Sequence, residues 1–251
     1  MKKGSAKRHT PKRYKRSTAE MNTWQKVWHF IWHDDSLLSW IVNILLAFIL
    51  IKFVVYPLLG LALGSQLPVV AVITPSMDHQ PAITCLISTP DGQCLQQKQD
   101  SYVLCGKEFT KRTRLNYDDY WNVCGNWYED KGIVKETFND FALSNGFRKG
   151  DVIVLGRAKP ANLEVGDVLV FNSNRPYPII HRIVTIEETA DGPVYTTKGD
   201  HNTDSINRDG FDEIHITQDQ VIGRGILRLP FVGYLKLLFV DFLRLFGITS
   251  F

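Results

Sequence analysis

From Leu37 to Leu63 the chain is apolar, interrupted mainly by Asn43, Lys52 and Pro57, and this stretch constrains everything around it. As a helix it is long enough to cross the hydrocarbon core of a bilayer. It begins too late and runs too long for the apolar core of a cleavable signal peptide, so it reads as an uncleaved anchor. Pro57 should bend the helix. Lys52 needs to snorkel to the interface or find a partner. Just before the span, residues 17–35 carry Trp24, Trp28, Phe30, Ile31 and Trp32 among Lys26, His29 and His33. That composition suits a short helix lying at the membrane interface.

Residues 1–16 hold Lys2, Lys3, Lys7, Arg8, Lys12, Arg13, Lys15 and Arg16 and no acid. Such an arm serves either nucleic acid or the cytoplasmic face of a membrane, and the adjoining span favours the membrane, so no nucleic-acid partner is expected. The positive-inside rule then places the N-terminus in the cytoplasm and everything beyond the span outside it. The expectation is a single-pass protein of the cell membrane. A 251-residue chain with 44% hydrophobic content can hold one medium-sized domain besides the anchor.

Beyond residue 146 the pattern turns to β. Asp151–Gly156, Asp167–Phe171, Pro178–Ile186, Val194–Thr197 and Gln220–Arg228 are β-branched runs separated by Gly-, Pro- and Asn-rich turns. Short strands at this spacing predict a mainly β domain with a partly closed antiparallel sheet, rather than a βαβ fold. Val69 to Ile73 is a further strand, ended by Thr74-Pro75. The expected organisation is a basic arm and interfacial helix over 1–35 and an anchor over 36–65. A β-rich domain takes 66–77 and 146–228, with an insertion over 78–145 and an amphipathic membrane-associated helix over 229–251. A second span is the alternative for that last segment. Within the insertion, Lys131 to Asn145 has helical composition, and the aromatics around Tyr117–Trp121 and Trp127-Tyr128 are expected to pack on one another.

The chain's 4 cysteines, Cys85, Cys94, Cys105 and Cys124, all lie in the insertion. Outside the cytosol they are disulfide candidates with the pairing open. A zinc site is the rival, weakened by the absence of C-x-x-C spacing. No metal and no organic cofactor is expected.

Three weak local signals combine into chemistry. Ser76 follows Thr74-Pro75 at the mouth of a strand. His181 lies on an apolar strand, on the same face as Ile179 and Ile183 and opposite Arg182. Lys198 to Asp204 is a tight polar loop with Asp200 and Asp204. A hydroxyl, an imidazole and a carboxylate are the parts of acyl-transfer catalysis.

These residues also carry a resemblance. The chain resembles signal peptidase I of the archaeal and endoplasmic-reticulum type. Pro75-Ser76-Met77 is similar to the nucleophile box, Lys149-Gly150-Asp151 to the next, Ile180-His181-Arg182 to the general-base box, and Lys198-Gly199-Asp200 with Asn202 to the aspartate box. Bacterial relatives carry lysine where His181 stands, so the resemblance implies Ser-His chemistry. The serine box and the next box are much further apart here than is usual, and the position of the family's second aspartate is Ile206. The orienting acid is therefore expected to be Asp200 or Asp204, with Asp209 in reserve.

The resemblance implies a peptidase acting on secretory preproteins near the bilayer, in proximity to a translocon. The signal peptide's C-region would add as an extended strand beside Val69, Ala71, Ile73 and Met77. A relative that cleaves other anchored substrates and a non-catalytic anchored binding module are the alternatives.

Overall fold

A computed structural model describes residues 22–88, 94–208 and 211–234. The basic arm, Asp209 and most of the expected C-terminal helix lie outside these residues. The chain divides into two compact units at Pro57.

In the first unit, Asn22 and Gln25 form a capping box that starts helix α1 (Thr23–His33), within the expected interfacial segment. Ser36 caps α2 (Leu37–Leu50). Asn43 interrupts the apolar pattern for a reason: its amide donates to the Ile31 carbonyl at 2.8 Å, and Ser39 Oγ donates to Phe30 at 2.6 Å. Both satisfy carbonyls that the end of α1 leaves open. After α2 a π-helical turn, Ile51–Val55, carries Lys52, whose ammonium lies 5.9 and 5.5 Å from the Phe48 and Phe53 ring centres. Proline lacks the N–H that an α-helical ladder needs, and here the ladder slips register just before Pro57. Helix α3 (Tyr56–Leu63) follows, and the continuous helix Leu37–Leu63 is long and apolar enough to cross a membrane.

The second unit is built on a six-stranded antiparallel sheet of order β1-β5-β11-β6-β7-β8. Its strands are β1 (Val69–Ala71), β5 (Val152–Gly156), β6 (Val168–Phe171), β7 (Ile179–Thr189), β8 (Gly192–Lys198) and β11 (Val221–Leu229). Register shifts in β11 at Gly225/Leu227 and Val221/Gly223, and in β7 at Ile183/Thr185, curl the sheet. Strand alternation fills both faces. Val72, Met77, Ile153, Leu155, Val168, Val170 and Ile180 form one core, and Leu169, Phe171, Ile183, Tyr195 and Ile216 belong to the other.

The insertion is more ordered than its polar sequence suggests. It contains a sheet of β2 (Ala82–Ser88), β3 (Cys94–Leu104) and β4 (Lys107–Phe109). Its principal helix, α4, spans Tyr117–Glu129, and the expected Lys131–Asn145 helix is only α5 (Lys135–Asp140). Asn116 and Asp119 cap α4 reciprocally, and Tyr120, Trp121, Cys124 and Tyr128 form its buried face. That face packs with Leu104, Ile133 and Phe138 and with Val184 of β7. The cysteines form Cys85–Cys94, which staples the β2–β3 hairpin, and Cys105–Cys124, which ties the end of β3 to α4. A short ribbon, β9 (Asn207–Arg208) with β10 (Phe211–Asp212), completes the described strands.

Candidate active site

Ser76 is aimed by the turn that precedes β5. Val72 N–H donates to the Asp151 carbonyl and Gly150 N–H to the Val72 carbonyl, both at 2.9 Å. The Lys149-Gly150-Asp151 motif therefore fastens the chain just beyond β1. Gly150 has φ +92°, a conformation that favours glycine. The Asp78 N–H closes a tight turn on the Pro75 carbonyl at 2.8 Å. Ser76 is left half-buried, with its Oγ 3.1 Å from Thr74 Oγ1.

Val69 and Ala71, in the outer strand of the sheet, and Ile73, just beyond it, are half-buried. Met77 differs from expectation. It is 1% exposed and packs in the core, and its sulfur accepts from the Asp200 N–H at 3.4 Å. It braces the serine turn from below and does not line a groove.

His181 pairs with Leu169 across β6–β7 and is 5% exposed. Its Nδ1 is held by the carboxylate of Glu213, which is completely buried. That pairing selects the tautomer with the proton on Nδ1 and the Nε2 lone pair free. Nε2 lies near the backbone of the serine turn. A β-carbon built on Gly199 would lie 2.8 Å from His181 Nε2, 2.7 Å from the Ser76 carbonyl oxygen and 2.6 Å from Asn202 Nδ2. Three groups converge on a point that only glycine leaves empty. The His201 N–H also donates to the Ser76 carbonyl at 2.9 Å, tying the two loops together.

The acids named from sequence are engaged elsewhere. Asp200 is buried and accepts from Arg182 Nε at 2.9 Å and Nη2 at 2.7 Å, from Tyr128 Oη at 3.0 Å, and pairs with His79 Nε2 at 3.0 Å. Burial alone would raise its pKa, but the Arg182 guanidinium, the hydrogen bonds from His79 and Arg182 and the His79 charge hold it well below the ordinary carboxylate range. Asp200 thus serves as the counter-ion of Arg182. Asp204 lies at the surface, accepting from Trp127 Nε1 at 3.0 Å and the Ser205 N–H at 2.7 Å. The carboxylate that touches the imidazole is Glu213, which sequence reasoning confined to the Lys198–Asp209 loop did not reach. Its signal was faint: an acid three residues after Gly210, in a Phe-Asp-Glu-Ile run.

The insertion reaches this centre. Tyr120 Oη donates to the Asp200 carbonyl at 3.0 Å and stacks on His79 with ring centres 3.6 Å apart. The buried Lys198 ammonium lies 4.9 and 4.8 Å from the Trp127 and Tyr128 ring centres and donates to the Gly199 carbonyl at 3.1 Å. Burial lowers its pKa to about 8, with Asp200, Glu213 and Asp204 opposing the shift.

A serine turn that shares the Gly199 corner with an imidazole whose far nitrogen is fixed by a carboxylate holds the parts of a charge-stabilised nucleophile. Comparison with known proteins points the same way. The chain is 31% identical over 100 residues to the signal peptidase complex catalytic subunit SEC11 of Fusarium vanettenii, covering 39% of this chain and 58% of the relative. It is 32% identical over 100 residues to the SEC11 of Metarhizium robertsii, with the same coverage. With the SEC11C subunit of Homo sapiens the identity is 26% over 106 residues, covering 40% and 54%. The chain thus spans little more than half the length of these curated relatives. No family model matches it.

Proposed function

We propose that this chain is a membrane-anchored serine endopeptidase that removes signal peptides from secretory preproteins. The observation that carries the reading is the convergence of the Ser76 backbone and His181 Nε2 at Gly199, with Glu213 on the opposite ring nitrogen. The similarity to catalytic subunits of signal peptidase complexes supports the choice of substrate.

In this reading the signal peptide's C-region pairs as an extended strand along the outer edge of β1, over Val69, Ala71 and Ile73, whose modest side chains leave shallow pockets for small residues. Ser76 Oγ attacks the scissile carbonyl while His181 Nε2 accepts the hydroxyl proton, and Glu213 stabilises the resulting imidazolium. The oxyanion receives hydrogen bonds from the Ser76 N–H and the Thr74 hydroxyl, which lies beside Oγ. Collapse breaks the C–N bond, His181 returns the proton to the departing amine, and the signal peptide remains as an ester on Ser76. Water, deprotonated by His181, attacks that ester and frees the serine.

The apolar helix holds this centre at a bilayer. The basic arm orients it with the N-terminus cytoplasmic and the catalytic domain outside. The test is to reconstitute the full chain in vesicles with a preprotein carrying an Ala-x-Ala site. Wild type should yield one product cut after that site, and Ser76→Ala none. Product from Ser76→Ala, or none from wild type, defeats the proposal.

A further inference from the structure

Beside the site lies a cleft of about 570 Å³, lined on one side by Val103 and Gly106 of the insertion and on the other by His201, Asn202, Thr203 and Asp204. The mechanism above uses none of these side chains. We infer that this cleft is the subsite for the first residues of the released mature chain, and that Asp204 makes it favour a cationic residue there. The inference rests on the peptidase reading and adds to it a second half of the substrate site.

The general base must return its proton to the leaving amine, so that nitrogen lies within hydrogen-bond reach of His181 Nε2 at the moment of cleavage. The polypeptide following the amine must therefore pass on the Nε2 side of the serine. Asn202 joins that side to the cleft. Its Nδ2 approaches the same point at Gly199 as Nε2 does, its backbone N–H is fixed on the Gly199 carbonyl at 2.9 Å, and it lines the cleft. Its amide is placed to donate to a carbonyl of the departing chain. His201 next to it is bonded to the Ser76 carbonyl through its backbone.

The charge of the cleft comes from Asp204. His201 is the other titratable group in its wall, and burial lowers its pKa, favouring the uncharged ring, opposed by the Asp78 carbonyl and carboxylate. The nearby Lys198 is fully buried, with its ammonium turned onto Trp127 and Tyr128, and does not line the cleft. Asp204 is exposed, held by Trp127 and its own turn, with its remaining acceptor capacity open to a ligand. The opposite wall is Val103 of β3 and Gly106 of the turn after it, next to the Cys105 that is tied to Cys124 of α4. The insertion therefore shapes the pocket as well as bracing the catalytic loop.

The experiment uses the full-length reconstituted chain and three substrates with one signal C-region: peptides with Lys or with Glu as the second residue after the cut, and a methyl ester ending at the cut. Wild type should prefer Lys over Glu in kcat/KM by roughly two- to fivefold, the range of one exposed ion pair. High salt should erase that preference, and Asp204→Lys should invert it. Thr203→Trp, which narrows the cleft, should lower the peptide rate relative to the ester rate. Equal use of Lys and Glu by wild type at low salt overturns the inference even if Asp204→Lys fails to fold. So does an unchanged peptide-to-ester ratio in Thr203→Trp. Failure of wild type to hydrolyse the ester at all overturns the peptidase reading itself.

Discussion

Ile206 and Glu213 exchange two hydrogen bonds: the Ile206 N–H donates to Glu213 Oε2 at 2.7 Å, and the Glu213 N–H donates to the Ile206 carbonyl at 2.9 Å. Ile206 occupies the position where the resembled family carries its second aspartate. The short β9–β10 ribbon brings Glu213 back beside Ile206 and leaves its other oxygen for His181.

The pairing makes a sharp prediction for Glu213→Gln. The Ile206 N–H must face the amide oxygen, which turns the NH₂ toward Nδ1 and forces the proton onto Nε2, the wrong tautomer for a base. Activity should fall about 10⁴-fold in kcat with little change in KM. Asp204→Asn should cost far less by the same steady-state assay. The reverse ranking would remove Glu213 from the mechanism.

Thr74 should matter to the transition state more than to substrate binding. Thr74→Val should reduce kcat about 10²- to 10³-fold at similar KM, and Thr74→Ser should keep most of the activity. An equal loss in both would mean that packing, rather than the hydroxyl, is at stake.

Asp200 acts through stability. Its folded-state pKa is held below the ordinary 3.8, so its contribution is complete above about pH 4 and is lost as pH falls below that. Asp200→Asn strands the buried Arg182 guanidinium and should cost about 3–5 kcal/mol near neutrality. The gap between wild type and variant in thermal midpoint should narrow on acidification below pH 4. A gap that widens there would contradict the assignment.

Lys198 should shift stability in a higher pH window. Its folded pKa of about 8 lies below the ordinary 10.5, so between these values the unfolded chain holds a proton that the folded chain has released. Stability of wild type relative to Lys198→Met should therefore rise as pH is raised from 8 toward 10.5. A falling difference would show that the aromatic rings and neighbouring acids keep the ammonium charged.

The two disulfides should differ in weight. Cys105–Cys124 closes a separation of 19 residues and Cys85–Cys94 one of 9. Replacing the first pair by serine should cost about 3 kcal/mol, and the second less. Only the first should also slow cleavage, because Cys105 N–H is bonded to the His201 carbonyl. This is checked by comparing melting and turnover of the two double variants.

Local pattern sufficed for much of this molecule. Apolar length marked the Leu37–Leu63 helix, and β-branched runs between turn residues marked β5 to β8 and β11, because each depends on neighbours close along the chain. The Ser76 turn and the strand face carrying His181 were legible for the same reason. The acid was not, because what assigns Glu213 to His181 is the fold-back of the β9–β10 ribbon, and a carboxylate in a loop looks alike whether it meets arginine, tryptophan or imidazole. Helix α4 was obscured because its buried face is made of Tyr, Trp and Cys, which become a core only against Phe138 and Val184. Met77 was misjudged on similar grounds: adjacency to the serine says nothing about which side of the turn faces the interior. Periodicity along a chain reports secondary structure and burial, whereas the partner of a polar group is set by three-dimensional closure, where distant segments compete for a small number of hydrogen-bonding positions.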